Sequence, residues 1–282
     1  LVIGRHGPHQ GQFNKPRAAA VSPAGFLYVA DMTGRIQKFN MLGEYLLDWS
    51  TPDIEKGRPR ALAVAPDGTV LVCDCHYYAI RRYTPDGTLI SSFGTKGFNT
   101  GEFSLMTDIS IDEKGNIYTT QYEDRADCVQ IFSPDGVFKR RFGSYGKESG
   151  QFDRPMGIAV DRNGFIYVAD CCNHRVQKFT ASGELVKIWG GFGNEPGKLM
   201  YPYDIICDSK GRLLVVEYGN NRVSKFSDEG KLLAVWGAHG TGRQNLIGPW
   251  GAAATGVEDE YFIVDSSNHR VLKVSIPDGG RD

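Results

Sequence analysis

The sequence predicts an all-β protein, a six-bladed β-propeller of four-stranded antiparallel blades, and three observations predict it. The first is a repeat. An acidic or amide residue that closes a short apolar run falls at Asp31, Asp74, Gln121, Asp170, Glu217 and Asp265, at intervals of 43 to 49 residues. The second is the make-up of each copy. The copy around Asp170 divides into GIAVD, FIYVAD, RVQKF and LVKIWG, separated by clusters of Gly, Asp, Asn or Ser. Such runs, rich in β-branched and aromatic residues, read as strands joined by hairpins. A sheet that is apolar on both faces must be covered by its neighbours, so the copies stack, and six of them around an axis make a propeller. The third is the way the ends fit. The last copy stops after VLKV and SIPDGG without an outer strand, while the chain opens with Leu1-Val2-Ile3-Gly4, which matches the outer-strand endings Lys187-Ile188-Trp189-Gly190 and Ala234-Val235-Trp236-Gly237. The N-terminal strand is expected to complete the sixth blade and leave the ring without a free edge.

Composition agrees. The continuous repeat makes 1–282 one propeller domain, no window keeps a 3.6-residue apolar period, and 35 glycines punctuate the runs. With 32 basic and 33 acidic residues the net charge is −1, which exerts no long-range pull on nucleic acid or an anionic membrane. Basic clusters such as Lys139-Arg140-Arg141 and Arg81-Arg82 are scattered and offset by acids, so a nucleic-acid partner is not expected. No apolar run approaches the roughly 18 residues of a membrane span. Six cysteines, at 73, 75, 128, 171, 172 and 207, lack the even spacing of a disulfide framework; Cys73 and Cys207 fall inside strands and read as small buried hydrophobes.

Taken in order, the elements divide the molecule into two faces. Gly25, Gly68, Gly115, Gly164 and Gly211, with Asp259 in the sixth copy, mark the first hairpin of each blade. Gly43, Gly87, Gly136, Gly183 and Gly230 mark the third. Both sets of turns lie on one face and are uniform. The opposite face, the top, carries what varies, and variation on a common scaffold is where recognition is written. There the six inner strands begin with Arg17, Arg60, Thr107, Met156, Tyr203 and Trp250, cationic on one side of the channel mouth and aromatic on the other. Copies two and three depart furthest: the arginine before the third strand is Arg35, Arg175, Arg222 and Arg270 in four copies but Ala79 and Cys128 in these two. In the four it is expected to fold back onto the anchor carboxylate.

Copies such as GQFDRPMGIAVDRNGFIYVADCCNHRVQKF resemble NHL repeats, whose eponymous tripeptide reads here Asn173-His174-Arg175 and Asn268-His269-Arg270. Gly-x-Phe-x-x-Pro at Gly11, Phe13, Pro16 and at Gly150, Phe152, Pro155 carries the same resemblance. It implies a six-bladed propeller and covers essentially the whole chain. The family includes RNA- and protein-binding domains of tripartite-motif proteins, sensor domains of bacterial kinases and a peptide-amidating lyase. The lyase's zinc histidines follow the proline of an inner strand. The residues after those prolines here are Arg17, Arg60, Met156, Tyr203 and Trp250, none of them histidine. The layout of exported bacterial members fits best, and with the absent initiator Met it leads to the expectation of an extracytoplasmic (periplasmic or secreted) bacterial protein.

The functional expectation is a non-enzymatic scaffold, free-standing or a subunit of a larger complex, that binds a protein or peptide through the top face. Its contact residues would be Arg17, Arg60, His76, Tyr77, Met156, Tyr203 and Trp250. Paired arginines bind carboxylates or phosphates, and rigid aromatics beside them form hot spots. The alternative is a metal-dependent lyase or hydrolase acting at the channel mouth. Its metal would draw on His76 and the anchor carboxylates; Cys75, His76, Cys171 and Cys172 are the further metal candidates, residues of the right softness that lack Cys-x-x-Cys spacing. No catalytic residue and no cofactor is assigned. The anchor carboxylates and His174 and His269 read as architecture.

Overall fold

The computed structural model describes residues 1–52, 55 and 58–279. It is all-β: six four-stranded antiparallel sheets surround a channel, and among the described residues helix is confined to two single 3₁₀ turns, Cys75–Tyr77 and Ser266–Asn268. The fourth blade is representative. Its inner strand Pro155–Val160 pairs with Ile166–Asp170, then Arg175–Phe179, then the outer strand Leu185–Gly190. The sixth blade consists of Pro249–Ala254, Glu260–Asp265 and Arg270–Ser275, and its outer strand is Val2–Ile3, with Val2 opposite Leu272 and Ile3 opposite Val271.

The apolar core lies between the blades. Six clusters fill the six interfaces; one joins Tyr28, Ala30 and Ile36 of blade one to Leu62, Val70, Val72 and Tyr83 of blade two, and another joins Phe262, Val264 and Val271 of blade six to Leu27, Val29 and Phe39 of blade one. Each large side chain so buried contributes about 1.5–3 kcal/mol, which no blade could gain alone. The Gly-x-Phe motif supplies a wedge. Phe13, Phe103 and Phe152 are fully buried, as are Leu199 and Leu246 at the equivalent sites. Phe152 lies against the glycine that follows the preceding outer strand, so close that a Cβ on Gly143 would stand 2.2 Å from the ring.

The Asn-His-Arg tripeptide has a specific mechanical role. Its middle residue is left-handed, at φ 56° in both His174 and His269, a conformation that His and Asn tolerate better than most residues. There its side chain faces the next blade. His174 Nδ1 accepts the N–H of Tyr201 at 3.1 Å, and His269 Nδ1 that of Lys15 at 3.0 Å. Asn221 accepts from Gly248 and Asp127 from Arg154 in the same way. The histidines are therefore staples between blades.

The anchor residues are equally structural. Asp31, Asp74, Gln121, Asp170, Glu217 and Asp265 have no exposed surface. The expected arginine pairs form at Asp170–Arg175 (2.7 Å), Glu217–Arg222 (2.8 Å) and Asp265–Arg270 (2.7 Å), with a longer one at Asp31–Arg35 (3.5 Å). Blade two does not lack this pair, contrary to the expectation drawn from Ala79. Arg81, two residues further along the strand and therefore on the same face, reaches Asp74 at 2.9 Å. In blade three the carboxylate and the arginine are both replaced, and Gln130 donates to Gln121 at 3.1 Å.

Candidate functional site: the channel mouth

Four of the six inner strands enter the channel through a sharp reversal. The residues before Pro16, Pro155, Pro202 and Trp250's neighbour Pro249 are Lys15, Arg154, Tyr201 and Gly248, all with φ between 48° and 55°. The left-handed residue and the fixed φ of proline swing the following side chain inward. Arg17, Met156, Tyr203 and Trp250 are turned in this way, and together with Arg60 and Thr107, all far apart in sequence, they line one cavity of about 270 Å³.

One wall is aromatic. Tyr203 stacks on Tyr218, with centroids 4.4 Å apart and planes within 15°, and Trp250 meets Tyr203 edge-on at 5.0 Å. Opposite stand the cations. The Arg17 guanidinium lies 5.0 Å from the Trp250 ring, and Arg60 lies 5.8 Å from both Trp250 and Tyr122. Arg60 crosses the mouth from blade two to blade four, where Nη2 comes within 3.2 Å of Met156 Sδ. Burial, and then repulsion from Arg60, holds the Arg17 guanidinium below its ordinary pKa. Thr107 is taken up by the frame, donating to Pro155 O at 2.7 Å.

One layer deeper the ring reads Ala18, Ala61, Asp108, Gly157, Asp204 and Gly251, and this pair of carboxyls was not among the sequence candidates. Each reaches over a glycine of the next blade: Asp108 Oδ2 accepts the N–H of Ile158 and Asp204 Oδ2 that of Ala252, both at 2.8 Å. The glycines are required, since a Cβ on Gly157 would lie 2.7 Å from Asp204 Cα. Remoteness from bulk solvent pushes Asp204 up to about 6, and burial plus the Asp204 charge raises Asp108 well above the carboxylate range. The sequence signal was an acid in a position otherwise held by Ala or Gly.

The remaining candidates stand apart from the cavity. His76 is exposed, with Nδ1 3.1 Å from Cys75 Sγ, and burial together with Arg17 and Arg60 keeps its pKa below the usual histidine value. Tyr77 faces Arg81, 5.9 Å from its guanidinium. Cys75 is fully buried and burial raises its thiol. Cys171 and Cys172 are free thiols whose mutual influence raises the pKa of the more buried Cys171 and lowers that of Cys172. Cys75, His76, Cys171 and Cys172 are not drawn together. Among the described residues no three His, Cys, Asp or Glu side chains form a group able to hold a metal ion. Nor, among the described residues, is any helix long and apolar enough to cross a membrane.

Comparison with known proteins agrees with this geometry. Residues 152–179 match the NHL repeat. No curated protein matches the chain by sequence. Among solved structures, a streptogramin B lyase superposes with TM-score 0.67 at 12% identity, over 98% of this chain and 97% of its own. A protein of unknown function from Bacteroides thetaiotaomicron VPI-5482 gives 0.75 at 13% identity, covering 98% of this chain and 75% of its own. A chain of a nidogen/laminin complex gives 0.62 at 18% identity, over 82% and 81%. At these identities the likeness is one of fold alone, and the fold serves both an enzyme and a member of a protein complex.

Proposed function

We propose that this six-bladed NHL-repeat propeller is a recognition scaffold that binds a protein or peptide at the mouth of its channel. The observation that carries the reading is the aromatic wall. Tyr203, Tyr218 and Trp250 come from two blades and are already packed against one another with an open cavity before them. Rigid rings in place before binding lose little entropy on complex formation, which is why Tyr, Trp and Arg dominate interface hot spots. The wet edge is present too, since Tyr218 and Tyr201 are 39% and 41% exposed at the rim. A neighbour of the same fold was solved in a nidogen/laminin complex, which gives the reading a precedent.

Selection from a random peptide library on immobilised protein tests this. Enriched peptides should bind the Tyr218→Ala/Trp250→Ala variant at least about tenfold more weakly, the effect of losing one hot-spot ring, while the thermal midpoint stays close to that of the parent. Enriched peptides that bind the variant undiminished, or no enrichment at all, would overturn the proposal.

A further inference from the structure

Most arginines of the top face are satisfied. Arg35, Arg81, Arg175, Arg222 and Arg270 each hold an anchor carboxylate, and four of them also donate to backbone carbonyls. The two in the mouth are not. A guanidinium carries five donors, yet among the described residues the side chain of Arg60 hydrogen-bonds only a thioether sulfur, a weak acceptor, and that of Arg17 meets the face of Trp250 and no acceptor. Nε of both is buried without an acceptor. Among the described residues neither forms an ion pair with a carboxylate. Two like charges on adjacent blades, partly desolvated and short of acceptors, make a cost that a bound anion would offset.

We infer, building on the reading above, that Arg17 and Arg60 receive a carboxylate of the bound peptide, either its free C-terminal carboxyl or an Asp or Glu side chain. A planar carboxylate matches the guanidinium fork and would displace the Met156 sulfur from Arg60 with much stronger, charge-assisted bonds. A phosphate dianion suits the site less, because Asp204, ionised at neutral pH, lines the same cavity just below and repels a second negative charge. The cavity takes a single residue rather than a length of chain, and the Tyr203–Trp250 wall would hold that residue's apolar side.

Four probes test the inference by arginine Nε–H nuclear magnetic resonance. They are acetyl-Ala-Ala-Phe with a free carboxyl, its C-terminal amide, acetyl-Glu-Ala-Phe-amide and inorganic phosphate. The free acid, the glutamyl amide or both should saturate with shifts at Arg17 and Arg60, about 10- to 100-fold more tightly than the plain amide, as expected for a hydrogen-bonded charge. The acid alone binding assigns the chain end; the glutamyl amide alone assigns the side chain. Arg60→Gln and Arg17→Gln, each with an unchanged thermal midpoint, should remove the preference. Equal binding of acid, glutamyl amide and plain amide overturns the carboxylate site but leaves peptide recognition standing if Trp250→Ala weakens all three. Phosphate binding more tightly than either carboxylate, or no saturable shift with any peptide, also overturns it. In that last case the library selection decides the recognition reading separately.

Discussion

At the scale of single residues, two kinds of half-buried titratable group act against each other. His174 and His269 accept backbone N–H groups and must be neutral to do so, and burial lowers the pKa of both. The stability they contribute is complete above the ordinary histidine value of 6.5 and is lost as pH falls below it. Asp204 has the opposite sign. Its pKa rises from 3.8 to about 6, so its contribution is complete below 3.8 and is lost as pH rises through 6. Replacing both histidines by Asn, the residue that serves at Asn221, should therefore make the protein gain stability between pH 7 and pH 5. Asp204→Asn should steepen its loss over the same interval. Urea midpoints at the two pH values check both outcomes. The sequence made the staple position visible as a repeating tripeptide, and it made the ring of mouth residues visible because each follows the opening of an inner strand. It hid Arg81, because the register of copy two was read from Ala79 alone when a strand offers the same face again two residues later. It hid Asp108 and Asp204 for a different reason: their partners are backbone amides of other blades, which no local pattern records.

At the scale of the element, the turn between the third and outer strands is a contact as well as a reversal. Gly230 of blade five stands over Trp189 of blade four, Gly87 over Trp49 and Gly136 over Phe93, each so close that a Cβ would come within 2.7 Å of the ring. Gly43 does the same to Ile3, so the N-terminal strand is treated by its neighbour as any other outer strand would be. Gly230 is left-handed at φ 74° and so is Gly211 at φ 78°, but a Cβ added to the latter would meet nothing within 4 Å. The two separate backbone strain from packing. Gly211→Ala should cost about 1–2 kcal/mol through its backbone alone, and Gly230→Ala about 2–4 kcal/mol because the methyl also strikes the indole. Denaturant titration of the two variants measures the difference; equal losses would mean that the turn does not bear on the next blade.

For the molecule as a whole, the decisive contact is between its two ends. Ile3 is 3% exposed and belongs to the cluster that joins blades six and one, and the Leu1 ammonium donates to Lys273 O. Removing residues 1–4 should cost about 2–5 kcal/mol, the range for emptying one large aliphatic site. It should also expose the Arg270–Ser275 strand as an unpaired edge. A lowered thermal midpoint together with concentration-dependent association in sedimentation is the expected outcome; a monomer of parental stability would show that the seam is dispensable. The same pairing has a mechanical side. Because Val2–Ile3 runs antiparallel to Arg270–Ser275, both chain ends leave the pair from the same end. Tension applied to them therefore peels this short ladder one hydrogen bond after another instead of shearing it all at once, so a ring closed firmly against heat and denaturant opens first at its seam when pulled.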